Sequence, residues 1–307
     1  MGDGQDKKDF DEDARSRVAV VVAIVSVSTA AVMIRLCDSG PMTVAFYRLL
    51  FTTAMVAPWA LARDRDCLSR LSLKEWAALA AIGLVLAVHF ALWVTSIGMT
   101  SVANSTVLVT MHPIFVAAIS FAFLGESPGK SALFGAVIAF VGVAIMFAGG
   151  LSGEGFVGNL LAIGGAIAAG TYIVGGRFQR KKLRTGAYCL VVYGFATLFL
   201  MPLAFAESKL VPASENDWLI LVVMAAVAGV LGHTMYNYAL GRVSAFVVST
   251  SLLGEPILSS IMAWLILHEA PAEWTMLGAP LVFVGIILAS GFRFGRGASA
   301  EKSAPPA

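Results

Sequence analysis

Charge is what this chain has least of. Of its 307 residues only 13% are Asp, Glu, Lys or Arg, while 58% are hydrophobic, and the mean hydropathy is +0.84. A soluble domain of this size needs a charged surface, so these values make the lipid bilayer the expected solvent. The net charge is only +2, which offers nothing to nucleic acid. Cysteine is scarce as well. Cys37, Cys67 and Cys189 are far apart, odd in number and in no metal-ligand spacing, so neither a disulfide framework nor a metal site is expected. No Walker-type phosphate loop occurs, which argues against an ATP-driven pump. Neither a Gly-x-Ser-x-Gly turn nor a His-Glu-x-x-His helix is found, so no enzyme and no cofactor is expected. Rings of like charge and a filter loop, which a channel would need, are also missing. The loops are too short for an extramembrane sensor domain. No cleavable signal peptide is expected, because Met1 to Arg17 mixes acids and bases and the first apolar run is long enough to span.

What the chain does have is a series of long apolar runs. A spanning helix needs about 20 mostly apolar residues. Ten runs meet this, at about 17–36, 42–62, 75–98, 101–124, 131–150, 156–176, 186–206, 217–240, 243–267 and 273–293. The expected fold is therefore an all-α membrane protein of ten transmembrane helices. The loops between these runs carry an uneven charge. Of 21 Lys and Arg, 18 fall on the side of the N-terminus, only Arg35 and Lys209 fall opposite, and Arg48 lies inside a span. The positive-inside rule then puts both termini in the cytoplasm of an integral cell-membrane protein.

Sliding the chain by 143 residues brings specific features into register. Pro113-Ile114 falls on Pro256-Ile257, Glu126 on Glu269, Pro128 on Pro271, and Phe140-Val141-Gly142 on Phe283-Val284-Gly285, with 12 identities in 49 positions from residue 98 to 146. A repeat of five spans must re-enter the membrane from the other side, so the two halves are inverted, as in many secondary transporters. The expected organisation is a cytoplasmic tail (1–16), a first five-helix repeat (17–150), a second (156–293) and a C-terminal tail (294–307).

The stretch from Ala91 to Gly142, its second copy from Tyr238 to Gly285 with Glu255-Pro256 and His268-Glu269, and the run Phe46-Tyr47-Arg48-Leu49-Leu50 together resemble the EamA-type proteins of the drug/metabolite transporter superfamily. The resemblance covers about residues 18 to 292. It implies alternating access and a central cavity lined by the first, third, fourth, sixth, eighth and ninth helices. It implies no single substrate, since members carry amino acids, nucleotide sugars, sugar phosphates, carboxylates and cationic drugs. His112 before Pro113 departs from the commoner family pattern.

Glu255 is the sharpest single feature. A carboxylate in mid-span costs a few kcal/mol and is usually paired or faces a cavity. Pro256 after it removes a backbone hydrogen bond and opens the helix. His112 stands at the equivalent place in the first half. Either the two form a cavity pair that binds substrate or a proton, or they are a structural pair that locks the fourth span to the ninth. His89 and Trp93 share a face of the third span, Tyr236 and Asn237 join His233 on the eighth, and Ser251 lies one turn before Glu255. The candidate substrate-binding set is thus His89, Trp93, His112, Tyr236, Asn237, Ser251 and Glu255, with interhelical hydrogen bonding as the alternative role. Arg48 is read as structural, its long side chain reaching for the headgroups. Glu126 and Glu269 are read as caps of the helices that follow them. Gly135, Gly142, Gly278 and Gly285 fit either close packing of the fifth helix on the tenth or a homodimer face. The expected function is secondary transport, as an exporter, of a small organic metabolite such as an amino acid, with proton coupling as one form of it. A channel-like facilitator or a non-transporting membrane receptor is the alternative.

Overall fold

The computed structural model describes residues 3–124, 130–148, 154–242, 248–249 and 251–289. Among them the regular structure is helical throughout. In chain order the helices are α1 (Asp3–Arg35), α2 (Pro41–Arg63), α3 (Arg65–Ser69), α4 (Leu73–Met99), α5 (Val102–Val109), α6 (His112–Leu124), α7 (Lys130–Ala148), α8 (Glu154–Arg180), α9 (Thr185–Ser208), α10 (Glu215–Met224), a π-helical stretch (Ala225–Thr234), α11 (Met235–Leu240), α12 (Gly254–Leu267) and α13 (Glu273–Ala289). Seven segments are long and apolar enough to cross a membrane, and three shorter apolar helices (Phe134–Ala148, Gly254–Leu267 and Glu273–Leu288) accompany them. The first helix begins at Asp3, so the stretch expected as a tail continues into the first span without a break. Glu126 and Pro128, expected to close an equivalent turn in the first half, lie outside the described residues, as does the C-terminal tail.

Local chemistry explains where the helices start. Pro41 occupies the first turn of α2, where its missing N–H costs nothing. Ser72 and Glu75 form a reciprocal capping box at the start of α4. Other caps come from distant parts of the chain. The Glu207 carboxylate, at the end of α9, accepts from the Thr43 amide at 2.8 Å and the Met42 amide at 3.2 Å, at the start of α2. In return Asp64, just past the end of α2, accepts from the Ala187 amide at the start of α9 at 3.1 Å. Each acid sits near a helix N-terminus, where negative charge is favoured. Asp64 and Glu207 are themselves 143 residues apart, the period of the sequence repeat.

Glu269 also caps a helix, but not the one that follows it. Its Oε1 accepts from the Val102 amide at 2.6 Å, at the start of α5, and its Oε2 pairs with Arg35 at 3.0 Å, at the end of α1. The expected local cap is thus replaced by a tertiary one that ties α1, α5 and the end of α12 together. Cys37 lies in the turn just beyond α1. Burial and the nearby Asp217 and Asp38 push its thiol up to about 12. Because the thiolate is the reactive form, Cys37 is expected to react with maleimide at pH 8 at least ~100-fold more slowly than free cysteine. Stopped-flow labelling of a Cys67→Ser, Cys189→Ser background checks this, and a free-cysteine rate would contradict it.

The glycines of α7 and α13 pack against each other. A Cβ built on Gly142 would stand 2.7 Å from the Gly278 carbonyl oxygen, and one on Gly278 would stand 2.5 Å from the Gly142 carbonyl oxygen. The two backbones touch, and no side chain fits between them. Close packing of the two helices, one of the two roles expected for these small residues, is formed here. The π-helical stretch also has a close neighbour. Gly229 of the π-helical stretch faces Thr52 of α2, whose methyl would lie 2.9 Å from an added Cβ.

Candidate functional site

Two breaks in the spanning helices meet in the interior. The first separates α5 from α6. The Thr110 hydroxyl bonds back to the Thr106 carbonyl at 2.9 Å and the Val107 carbonyl at 3.0 Å. The Met111 amide bonds to Leu108 in a tight turn at 3.2 Å. The α-helix resumes at His112, with Pro113 inside its first turn, as expected from a ring that cannot donate to the previous turn. The second break precedes α12. There the Glu255 amide bonds to the Leu252 carbonyl at 2.9 Å, and Glu255 falls in the first turn of the new helix. Helix N-terminal amides partly offset a carboxylate at this position.

Between these breaks lies a cavity of about 50 Å³, as measured by the room it leaves for a water-sized sphere. Its polar lining comprises Arg48, His89, Trp93, Thr110, His112, Tyr172, His233, Tyr236 and Glu255. Of the candidates read from the sequence, the structure brings His89, Trp93, His112, Tyr236 and Glu255 together here. His89 is held in place. Its Nδ1 donates to the Gly165 carbonyl at 3.0 Å, and its ring stacks on Trp93 with centroids 6.1 Å apart and planes 7° from parallel.

Asn237 and Ser251 do not line this cavity. Ser251 is half-buried in the segment before α12. Asn237 is fully buried one layer behind the wall. Its side-chain oxygen accepts from the Tyr172 hydroxyl at 2.9 Å, and its amide nitrogen donates to the Tyr193 hydroxyl and the His233 carbonyl, both at 2.8 Å. The regular 3.6-residue spacing that grouped Asn237 with His233 does not hold, because the π-helical turn ends at Thr234 and resets the register. Asn237 therefore joins α8, α9 and α11. Asn237→Ala is expected to lower unfolding stability in detergent by about 2–3 kcal/mol, since it leaves two buried tyrosine hydroxyls unpaired. Substrate affinity is expected to change less than threefold, or about 0.6 kcal/mol. Loss of affinity at unchanged stability would contradict this assignment.

Arg48 is the residue that sequence reasoning misplaced. It does not reach for the headgroups. It is 1% exposed, and its guanidinium lies over the rings of Phe90 at 4.6 Å and Trp93 at 5.5 Å from their centroids. Helix α2 thereby joins the cavity wall, alongside all six helices expected there. Distance from the end of the span gave no warning, because the helix face decides where a side chain points, and α2 turns this face to α4. Neither terminal nitrogen of Arg48 has a hydrogen-bond partner among the described residues, and the same is true of Trp93 Nε1, His112 Nδ1 and the Tyr236 hydroxyl. Glu255 is the acid within electrostatic reach of Arg48, yet no direct ion pair joins them. His112 and Glu255 share the cavity but make no ion pair with each other either, so the structural pair considered above is not formed.

A buried cation costs several kcal/mol unless it is paired and hydrogen-bonded. Stacking on aromatic faces returns only about 1–2 kcal/mol of that. A cavity in which a guanidinium, two ring nitrogens and a tyrosine hydroxyl stand without partners among the described residues is built to be completed by something else. No group of three or more His, Cys, Asp or Glu able to hold a metal ion occurs among the described residues.

Comparison with known proteins agrees with this picture. The model of the EamA-like transporter family matches residues 17–148 and again 156–291. An uncharacterized transporter of Archaeoglobus fulgidus is 24% identical over 280 residues, covering 88% of this chain and 95% of its own length. The pseudopaline exporter CntI of Pseudomonas aeruginosa is 25% identical, with the same coverage of each chain. A probable terminal-alkyne amino-acid exporter of Streptantibioticus cattleyicolor is 24% identical over 203 residues, covering 63% of this chain and 65% of its own. A protein of known crystal structure superposes with a TM-score of 0.66 over 90% of this chain and 97% of its own, at 18% identity, and so shares the fold.

Proposed function

Since the chain belongs to the EamA-like transporter family, we propose that it exports a small organic metabolite, such as an amino acid, by alternating access through the central cavity. The observation that carries this reading is the Arg48 guanidinium, whose terminal nitrogens have no partner among the described residues, facing the same cavity as Glu255 beside two helix breaks. Secondary transporters place their sites at such discontinuous helices. We read the seven longer and three shorter apolar helices as ten spans in two inverted halves, 17–150 and 156–293. The reciprocal caps of Asp64 on α9 and Glu207 on α2 support that reading, as does the family model, which matches twice. The charge partition favours cytoplasmic termini in the cell membrane. The names of relatives favour export, and one of them is named for an amino acid.

The test is efflux from proteoliposomes loaded with a metabolite extract, followed by mass spectrometry. The expected result is time-dependent loss of a small set of solutes, with trans-stimulation by the same solutes outside. Loss of all small solutes together, without trans-stimulation, would instead indicate the channel-like facilitator. No loss of any solute would indicate a non-transporting receptor.

A further inference from the structure

Arg48 and Glu255 stand in one cavity with opposite charges and no direct bond between them. Had the fold needed only neutralisation, a direct pair would serve. Instead both terminal guanidinium nitrogens are left unpaired in a site where Arg48 is 1% exposed. A guanidinium with two free N–H edges matches a carboxylate, which accepts two parallel hydrogen bonds. The Trp93 Nε1 and the Tyr236 hydroxyl, both unpaired, add neutral donors on the same lining. Glu255 offers only acceptors once ionised, and these match an ammonium.

Charge balance decides between the solute classes. The empty cavity holds one cation and one anion. With Glu255 ionised, a monoanion on Arg48 would leave Glu255 as an uncompensated buried charge, and a monocation on Glu255 would leave Arg48 so. A solute with both charges leaves the site neutral and both partners bonded. We propose that the cavity recognises a zwitterion, with the solute's carboxylate on Arg48 and its ammonium at Glu255. With Glu255 ionised, monoanions and monocations are disfavoured by the charge each would leave unpaired. Arg48 is then the residue that determines specificity. This rests on the transport reading above and narrows it.

The experiment uses the purified full chain. The probes are the twenty standard amino acids and, for each, the amine lacking the carboxylate and the acid lacking the amino group. Binding is read by thermal shift and exchange by counterflow in liposomes. The expected result is that at least one amino acid binds and exchanges. Its amine and its acid are each expected to bind about 100-fold more weakly or worse. In Arg48→Gln the advantage of the amino acid over its amine should disappear, and Arg48→Lys should restore part of it. Should Arg48→Gln not fold, the wild-type comparison of the three compounds still decides. An amine or acid binding within about threefold of its amino acid would overturn the proposal. So would export of other metabolites from the extract with no zwitterion among them, which would leave the transport reading standing. If no solute of any class moves, both fall.

Discussion

Glu255→Gln is expected to lower the initial rate of transport about 100-fold or more, with the protein still folded. The substitution keeps the side chain's size and removes its charge. Arg48 then remains in the cavity without Glu255, the acid among the described residues whose charge reaches it. Removing one member of a buried charge pair costs about 3–5 kcal/mol, and a tenfold effect corresponds to about 1.4 kcal/mol. Much of that cost falls on the transport cycle, because the cavity must bind, occlude and release its solute with the balance disturbed. Glu255→Asp keeps the charge one methylene shorter and should restore a measurable part of the rate. If the cycle is proton-linked, the residual activity of the Gln variant should also lose its dependence on pH, since the acid at the helix break is gone. A Gln variant that transports at the wild-type rate, with wild-type pH dependence, would reduce Glu255 to a structural role.

The second large effect is on stability. Gly278→Val is expected to destabilise the protein by about 3 kcal/mol or more. The added Cβ would stand 2.5 Å from the Gly142 carbonyl oxygen and 3.1 Å from the Met146 amide nitrogen. Both are backbone atoms of α7 and cannot rotate away, so the two helices must separate along their length. Overpacking of this kind usually costs 1–3 kcal/mol where side chains can adjust, and here they cannot. Thermal unfolding in detergent should show the loss, and Gly142→Val should match it from the other side. A melting temperature within about 1 °C of wild type would mean that the backbones are not in contact. Transport by any surviving Gly278→Val protein should keep its solute preference, because neither helix lines the cavity.

Much of the architecture was legible in the residue order, for physical reasons. Hydrocarbon thickness sets the length of an apolar run, so a polytopic helical protein was legible from the runs, of which seven are helices long and apolar enough to cross a membrane and three are shorter. Proline alone does not announce a break, since Pro58, Pro202 and Pro280 lie inside continuous helices; an ionisable residue directly before a proline, as in His112-Pro113 and Glu255-Pro256, marked the interior of the site. Side chains on a helix face were less secure. His89 and Trp93 kept their spacing because α4 is a regular helix. Asn237 lost its place because Ala225–Thr234 winds as a π-helix. Nothing in Ala225-Ala226-Val227-Ala228-Gly229 announces that, beyond small residues that let α2 come close. Arg48 was misread because burial depends on which neighbour a helix turns toward, and that neighbour, α4, is 25 residues or more further along the chain. Its one hint was chemical, a full charge well inside an apolar run. The reach of Glu269 to Val102 across 167 residues was beyond any local pattern, since the capped helix is brought there by the fold.

The central claim is that Arg48 and Glu255 hold the transported solute between them. The most direct measurement is a structure of the protein with its transported metabolite bound, determined in a lipid environment. Density is expected in the cavity between α2, α4 and α12, with an anionic group of the solute on the Arg48 guanidinium and a cationic group at the Glu255 carboxylate. A solute bound elsewhere, with no contact to Arg48 or Glu255, would contradict this placement.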